Sequence, residues 1–179
     1  ELGRREEALA CAEEAVALTG TNAWLAGGEL PVRSDARLRL VTTREARSGD
    51  ASCLVYHPRD LVVGVGCERG TPPEALQALV DHTLADANLA RASVAAVVSL
   101  DVKADEPAVH ALAEGLGVPA RFFDAATLER ETPRLATPSE IVFAEVGCHG
   151  VAEGAVLAAG GEHGELLVAK RKGERTTCA

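Results

Sequence analysis

The stretch Leu61-Val-Val-Gly-Val-Gly-Cys-Glu-Arg-Gly-Thr-Pro-Pro-Glu-Ala-Leu76 decides the fold that we predict for this chain. Its first five residues form a continuous apolar run of strand length, which is typical of a strand buried on both faces. From Pro72 to Leu89, apolar residues recur at helical spacing, with prolines in the first turn, Thr71 as the expected N-cap and Glu74 three residues after it. The stretch therefore predicts a buried strand, a glycine-bearing loop and a helix.

The same alternation continues toward the C-terminus. Val94 to Leu100 predicts the next buried strand, and Pro107 to Leu116 predicts a helix that ends at glycine. An α/β domain with a helix-covered, mostly parallel sheet in three α/β/α layers is the expected fold class. The further expected elements are a strand at Arg121–Phe123, a helix at Ala125–Arg130, a fourth strand at Ile141–Val146, a small-residue helix at Gly150–Ala159 and a strand at Leu166–Lys170.

Residues 1–60 do not show the regular alternation of strands and helices that is predicted for the rest of the chain. Glu6 to Leu18 consists of strong helix formers and predicts an N-terminal helix. Short strands are expected at Leu38–Thr42 and Cys53–Tyr56, separated by turn-rich sequence. We therefore divide the chain into residues 1–60, the end of one module with a linker, and residues 61–179, the α/β domain.

Composition excludes several classes of function. With 179 residues the chain has room for one ordinary domain, and its net charge of −9 with 3% aromatic residues argues against a nucleic-acid partner. Its longest apolar runs are too short to span a bilayer, so we expect no membrane partner. The chain has five cysteines, an odd number without a close pair, and no signal-peptide pattern. Both observations predict a cytoplasmic protein with reduced cysteines. The missing methionine favours a piece of a longer polypeptide.

Ligands of open α/β sheets bind at the carboxyl ends of the strands, which directs attention to three loops. The first loop is Gly64–Thr71. Gly64 and Gly66 let the backbone come close to a ligand, and Thr71 precedes a helix N-terminus. Arg69 offers a forked donor for an anion, and Cys67 is either a nucleophile or a small apolar residue in a tight turn. No dinucleotide or Walker motif fits, so we expect no cofactor.

The second loop runs from Ser99 to Pro107 and contains Lys103, one of only three lysines in the chain. Lys103 is either an ammonium donor to an anionic ligand or a solvated surface lysine. Asp105 and Glu106 are more simply explained as acids that complement the dipole of the following helix.

The third loop, Glu145–Gly150, contains His149, a candidate general acid or base, and Glu145, the other candidate base. Gly147 and Gly150 again permit close backbone approach. Cys148 and His149 together with Cys67 match no closed zinc pattern, so we expect no metal site.

If the sheet is parallel, the three loops line one crevice that carries Arg69, Lys103 and His149. Glycine-lined walls with these cations suit a flat or bulky anionic organic ligand.

Five stretches at and near these loops carry a family resemblance: Val63–Pro72, Ser99–Pro107, Val118–Phe123, Thr137–Glu140 and Glu145–Glu153. They resemble the CbiG C-terminal domain and its stand-alone relative CobE, a family of cobalamin biosynthesis, and occur in the family's order over roughly two-thirds of the chain. The resemblance implies a role in building the corrin ring, where CbiG opens the lactone of cobalt-precorrin-5A and releases acetaldehyde.

The resemblance also implies partners: an anionic corrin-precursor macrocycle, and other corrin-pathway enzymes or fused domains. Residues 1–60 then resemble the end of a central region that precedes the CbiG C-terminal domain.

Three functions stay open at this point. The first is part of a lactone hydrolase, with His149 or Glu145 as the base and loop N–H groups as oxyanion donors. The second is a carrier that binds a tetrapyrrole without chemistry, and the third is a structural module of a multidomain enzyme.

Overall fold

The computed structural model describes residues 39–179, and the chain divides into two compact units, Glu1–Pro58 and Arg59–Ala179. In the first unit, β1 (Arg39–Thr42) and β2 (Cys53–Tyr56) pair in parallel. Both strands were expected from their sequence. The helix predicted at Glu6–Leu18 lies outside the described residues.

The second unit is built on a five-stranded sheet. Its parallel part consists of β3 (Leu61–Cys67), β4 (Val94–Leu100) and β5 (Ala120–Phe123). β6 (Arg171–Gly173) and β7 (Thr176–Cys178) form an antiparallel hairpin, and β7 pairs antiparallel with β3. In the strand order β5-β4-β3-β7-β6, the two pairings among β3, β4 and β5 are parallel, as expected, and the two pairings of β7 are antiparallel, so the sheet is mixed.

Helices cover both faces of this sheet. On one face, α1 (Pro73–Asp86) and α2 (Pro107–Leu116) bury Leu76, Val80 and Leu112 against β3 and β4. On the other face, α3 (Ala125–Glu129) and α5 (Val151–Gly160) bury Leu128 and Ala155. Each fully buried leucine contributes roughly 1.5–3 kcal/mol of hydrophobic stabilisation. Two cores on opposite faces of one sheet confirm the three-layer architecture.

The segment predicted as the fourth strand is instead the helix α4 (Glu140–Val146). Its β-branched composition favours a strand, but the side chain of Ser139 accepts the N–H of Val142 at the N-cap. Gly147, with φ of 78°, ends the helix in the left-handed conformation. Val142 and Val146 are four residues apart and half-buried, and Val146 packs on the second core, so a helical period places both on one face.

The strand predicted at Leu166–Lys170 is also wrong. The buried carboxylate of Glu153 on α5 accepts the backbone N–H of Lys170 over 2.7 Å, which fixes this segment to a helix rather than to the sheet. The strands follow at β6 and β7, whose sequences carry no apolar run that would reveal them.

Thr71 does not cap α1 as predicted. Pro72 occupies the N-cap position without a side-chain hydrogen bond. The hydroxyl of Thr71 instead donates to the carbonyl of Glu68 over 2.8 Å, so Thr71 closes the loop that leads into the helix.

No single helix within residues 39–179 is long and apolar enough to cross a membrane. Only the segments Glu140–Val146 and Val151–His163, taken as a pair bent by 79°, reach the required length and composition.

Candidate functional site

The loops after β3 and β4 are joined by direct contacts. Arg69 donates to the carboxylate of Asp105 over 2.6 Å and to the carbonyl of Val102 over 2.9 Å. The backbone N–H of Gly70 donates to Glu106 over 3.1 Å. The structure therefore brings the first two predicted loops together at the carboxyl edge of the parallel strands, as expected.

The buried carboxylate of Glu106 contacts both loops at this junction. Glu106 is only 2% exposed, and its second oxygen lies 3.9 Å from the guanidinium of Arg69. The Arg69 guanidinium holds the pKa of Asp105 below its ordinary value, mainly through their hydrogen bond. The first loop is also tied to the β6–β7 turn, because Arg175 donates to Glu68 over 2.7 Å and to the carbonyl of Arg69 over 3.0 Å. Asp105 and Glu106 thus hold the loops together as well as preceding α2.

Cys67 ends β3 in a half-buried position. Burial raises the pKa of its thiol, and the carboxylate of Glu106 raises it further, while Lys103 and Arg69 act in the opposite direction. A raised pKa keeps the thiol protonated and therefore weakly nucleophilic. The structure favours the interpretation of Cys67 as a small apolar residue.

Lys103 lies in a single turn of 3₁₀ helix, Asp101–Lys103, and is partly exposed. Within residues 39–179, no hydrogen bond or salt bridge engages its ammonium group. The preceding residue, Val102, exposes 48% of its surface. We call residues 101–106 the lysine turn; it presents an unpaired cation beside an apolar side chain.

His149 is held by a carboxylate that the sequence analysis did not identify. Its Nδ1 lies 3.0 Å from both carboxylate oxygens of Glu129, and its backbone N–H donates to the same carboxylate over 3.0 Å. Because an ionised carboxylate only accepts hydrogen bonds, Nδ1 carries the proton. The hydrogen bond with Glu129 raises the pKa of His149 and lowers that of Glu129.

Two further side chains enclose the imidazole. The ring of Phe143 stacks on it with centroids 4.5 Å apart and planes inclined by 22°. The exposed carboxylate of Glu140 lies 3.6 Å from Nε2. We call Glu129, Glu140, Phe143 and His149 the histidine cluster.

Glu145, the other predicted base, lies on α4 and is exposed to solvent. The contacts described for His149 involve Glu129 and Glu140 and not Glu145. Gly147 ends α4, and Gly150 is the N-cap of α5, where a β-carbon would lie 3.0 Å from Leu135. Both glycines have a packing or conformational explanation.

Gly64 and Gly66 lie within β3 and make room for α5. A β-carbon at Gly64 would collide with the carbonyl oxygen of Ala152, and one at Gly66 would lie 2.8 Å from the hydroxyl of Thr177. Their predicted role, close backbone approach, is seen here toward a helix and a neighbouring strand rather than toward a ligand.

The third loop also reaches the carboxyl edge of the sheet. Cys148 is buried in the second core with Leu100, the last residue of β4, and Gly147 lies near Ala125, which follows β5. Among the described residues, no hydrogen bond links the histidine cluster to the lysine turn. No group of three or more potential metal-ligating side chains occurs in the described part of the chain.

The model of one protein family, described as the cobalamin synthesis G C-terminus, matches residues 61–179. This chain belongs to that family. It is a cobalamin biosynthesis protein of the CobE/CbiG type, which confirms the family and the pathway expected from the sequence.

Two relatives illustrate the range of the family. The chain is 54% identical to protein CobE of a Sinorhizobium species over 119 residues, covering 66% of this chain and 77% of that protein. It is 29% identical to the cobalt-precorrin-5A hydrolase of Priestia megaterium over 141 residues, covering 76% of this chain and 37% of the hydrolase. The chain therefore spans well under half of the hydrolase.

Solved structures agree with this fold. A crystal structure of CobE, described as a protein of the vitamin B12 pathway, has a TM-score of 0.61 and 39% identity, covering 65% of this chain and 85% of that one. A putative cobalamin biosynthesis protein G homologue from Sulfolobus solfataricus has a TM-score of 0.56 and covers 93% of this chain and 50% of its own. At 18% identity, the second likeness shows the fold alone.

Proposed function

We propose that this domain binds a carboxylate-fringed corrin precursor at the carboxyl edge of its sheet and takes part in the hydrolysis of cobalt-precorrin-5A. The observation that carries the proposal is the geometry of His149: Glu129 holds Nδ1, which leaves Nε2, 3.6 Å from the exposed carboxylate of Glu140, as the nitrogen that exchanges a proton. The 29% identity to a cobalt-precorrin-5A hydrolase supports this reaction class.

In the proposed reaction, Nε2 of neutral His149 takes a proton from water as the water oxygen bonds to the lactone carbonyl carbon. The carbon–oxygen bond of the ring then breaks, and the proton moves to the departing alkoxide. One water is consumed, and one carboxylic acid and one alcohol result. General base catalysis of this kind accelerates a reaction by roughly 10²–10⁴-fold.

The proposed ligand contact is Lys103. A protein with a net charge of −9 repels a polyanion at long range, so binding requires a cation placed locally. The unpaired ammonium of Lys103 meets that requirement. One charge-assisted contact at this partly exposed position is worth about 1.5 kcal/mol, which corresponds to roughly tenfold in affinity.

A second candidate function is a tetrapyrrole carrier without chemistry. The similarity covers 77% of protein CobE at 54% identity, but only 37% of the hydrolase at 29% identity. In a carrier, the lysine turn would bind the ligand, and His149 would act as a further contact for its carboxylates.

The remaining parts of the proposal concern context. We place residues 1–60 at the end of a central region that precedes this domain in a longer CbiG-type protein, with other corrin-pathway enzymes or fused domains as partners. The four cysteines among the described residues are free thiols, which fits a reducing compartment such as the cytoplasm.

Replacing His149 separates the two functions. We expect His149→Ala to lower the rate of lactone hydrolysis in cobalt-precorrin-5A, measured by mass spectrometry as the appearance of the ring-opened carboxylic acid, by 100-fold or more, on the order of the base contribution above, while binding of the precursor changes little. His163→Ala, at an exposed histidine, is the matched control. Full turnover by His149→Ala would refute the catalytic role, whereas binding without turnover by the unmodified protein would establish the carrier.

A further inference from the structure

The shape of the lysine turn is determined by a residue outside it. Arg69 binds the carbonyl of Val102 on one side of Lys103 and the carboxylate of Asp105 on the other. We infer that Arg69 and Asp105 are positioning residues that fix Lys103 for anion binding and do not themselves contact the ligand. The inference rests on the proposed function, because it specifies how that site recognises its ligand.

The charge of Arg69 is already compensated. One guanidinium nitrogen lies 2.6 Å from Asp105 and 3.9 Å from Glu106, and another donates to the carbonyl of Val102. A cation engaged by two carboxylates attracts a further anion weakly. Arg69 therefore differs from Lys103, whose ammonium group forms no hydrogen bond or salt bridge among residues 39–179 and is only attracted by the nearby carboxylate of Asp105.

The backbone of the lysine turn is constrained on both sides of Lys103. The carbonyl of Lys103 accepts the N–H of Glu106 over 3.0 Å, and the carbonyl of Asp101 accepts the N–H of Ala104 over 2.9 Å. With Val102 held by Arg69, a ligand that binds Lys103 does not have to order the turn. Such preorganisation increases affinity by lowering the entropy that binding costs.

The turn also indicates the class of ligand. Val102 is half-exposed beside the partly exposed ammonium of Lys103, so an apolar contact and a cationic contact lie on consecutive residues. A planar apolar molecule with carboxylates around its rim satisfies both contacts. A small hydrophilic anion satisfies only one of them.

Replacing Asp105 by asparagine tests the inference, because the inference and simple electrostatics predict opposite changes in the affinity for an anionic ligand. Electrostatics alone predicts that loss of an acidic charge near the site strengthens anion binding. If Asp105 instead fixes the turn through Arg69, the same change weakens binding, because the turn then has to be ordered by the ligand. The two mechanisms therefore predict opposite signs.

The experiment measures the affinity of the full chain for uroporphyrin, a planar tetrapyrrole with carboxylates around its rim, by porphyrin fluorescence. We expect Lys103→Met to weaken binding about tenfold and Asp105→Asn to weaken it about three- to tenfold. Asp81→Asn is the matched control, because it breaks an arginine–carboxylate pair, between Asp81 of α1 and Arg91, that lies outside the lysine turn. This control should not weaken binding.

Arg69→Met provides a second measurement. Residues that act as a unit show non-additive effects, so Arg69→Met and the double variant with Asp105→Asn should each weaken binding about as much as Asp105→Asn alone. A larger loss for Arg69→Met would indicate that Arg69 contacts the ligand, and would overturn the inference.

The outcomes distinguish this inference from the proposed function. If Lys103→Met weakens binding but Asp105→Asn strengthens it or leaves it unchanged, the positioning role is refuted and the ligand site stands. If the unmodified chain does not bind uroporphyrin, or if Lys103→Met binds as well as the unmodified chain, the inference and the proposed ligand site at Lys103 are both refuted, whereas the catalytic role of His149 is decided by its own variant.

Discussion

At the scale of single residues, the pair formed by Glu129 and His149 couples proton binding to stability. The pKa of His149 is raised, so its contribution is complete below its ordinary value of about 6.5 and is lost as pH rises through the folded-state pKa. The pKa of Glu129 is lowered, so its contribution is complete above its ordinary value of about 4.3 and is lost as pH falls through the folded-state pKa. The pair therefore stabilises the fold most in the window between these two values.

Glu129→Gln is expected to lower the pKa of His149, because the change removes the carboxylate that favours the imidazolium. Titration of the imidazole signals by NMR measures this shift directly. If His149 is the base, the acid limb of the pH–rate profile moves to lower pH in the variant. Glu145→Gln, at an exposed carboxylate of α4 without a described contact to the imidazole, should leave the titration unchanged.

An unshifted His149 titration in Glu129→Gln would contradict the assignment of Glu129 as its partner. The stability of the variant offers a second check. Its deficit relative to the unmodified protein should shrink as pH rises above the folded-state pKa of His149, since the neutral imidazole no longer forms an ion pair with Glu129.

At the scale of secondary-structure elements, the close packing of α5 on β3 sets the position of the third loop. Gly64 allows the carbonyl of Ala152 to lie against the strand, and Gly154 allows α5 to approach Leu128 of α3, where a β-carbon would lie 3.3 Å away. Interiors are packed too tightly to absorb an added methyl group at such points without movement.

Gly64→Ala is therefore expected to destabilise the domain by about 2–3 kcal/mol, because α5 has to move away from the sheet. Urea denaturation followed by circular dichroism measures the loss. Gly160→Ala is the matched control, since Gly160 has right-handed helical angles and open space around its α-carbon. We expect this control to be neutral or to stabilise by up to about 1 kcal/mol. Equal stability of Gly64→Ala and the unmodified protein would refute the packing argument.

Much of the central sheet could be predicted from the sequence because local signals and burial agree there. The strand at Val94–Leu100 and the helix at Pro107–Leu116 have the expected bounds. The strand coincides with an apolar run, and the helix begins at a proline and ends before a glycine. α4 was predicted as a strand because its β-branched residues favour one. The N-cap at Ser139, the left-handed Gly147 at the end and the packing of Val146 on the second core together decide for the helix.

The candidate site could be predicted only in part, because some of its contacts join residues that are far apart in the chain. The argument from strand ends directed attention to Lys103, whose loop follows β4. It also directed attention to His149, but the segment that precedes His149 is the helix α4 rather than the predicted strand. Glu129 was missed because it comes from the end of α3, twenty residues before His149, and no spacing rule connects the two. Arg69 was expected to bind a ligand, whereas its described contacts are with Asp105 and Val102, which a sequence without coordinates does not reveal.

At the scale of the whole molecule, overall charge and local charge act in opposite directions on a polyanionic ligand. The chain carries 27 acidic and 18 basic side chains, a net charge of −9. Long-range repulsion between exposed charges is screened beyond a Debye length of roughly 8 Å at physiological salt. The contact with Lys103 is short-ranged, so salt weakens it less than it weakens the repulsion.

The association of uroporphyrin with the chain should therefore become faster as salt is added. We expect the association rate constant, measured by stopped-flow fluorescence, to rise several-fold between about 10 mM and 150 mM ionic strength, because screening removes the repulsion felt during approach. Lys103→Met should mainly accelerate dissociation, since it removes a contact formed after encounter. An association rate that falls with added salt would show that a local positive field governs the approach, and would refute the view that the net negative charge opposes binding.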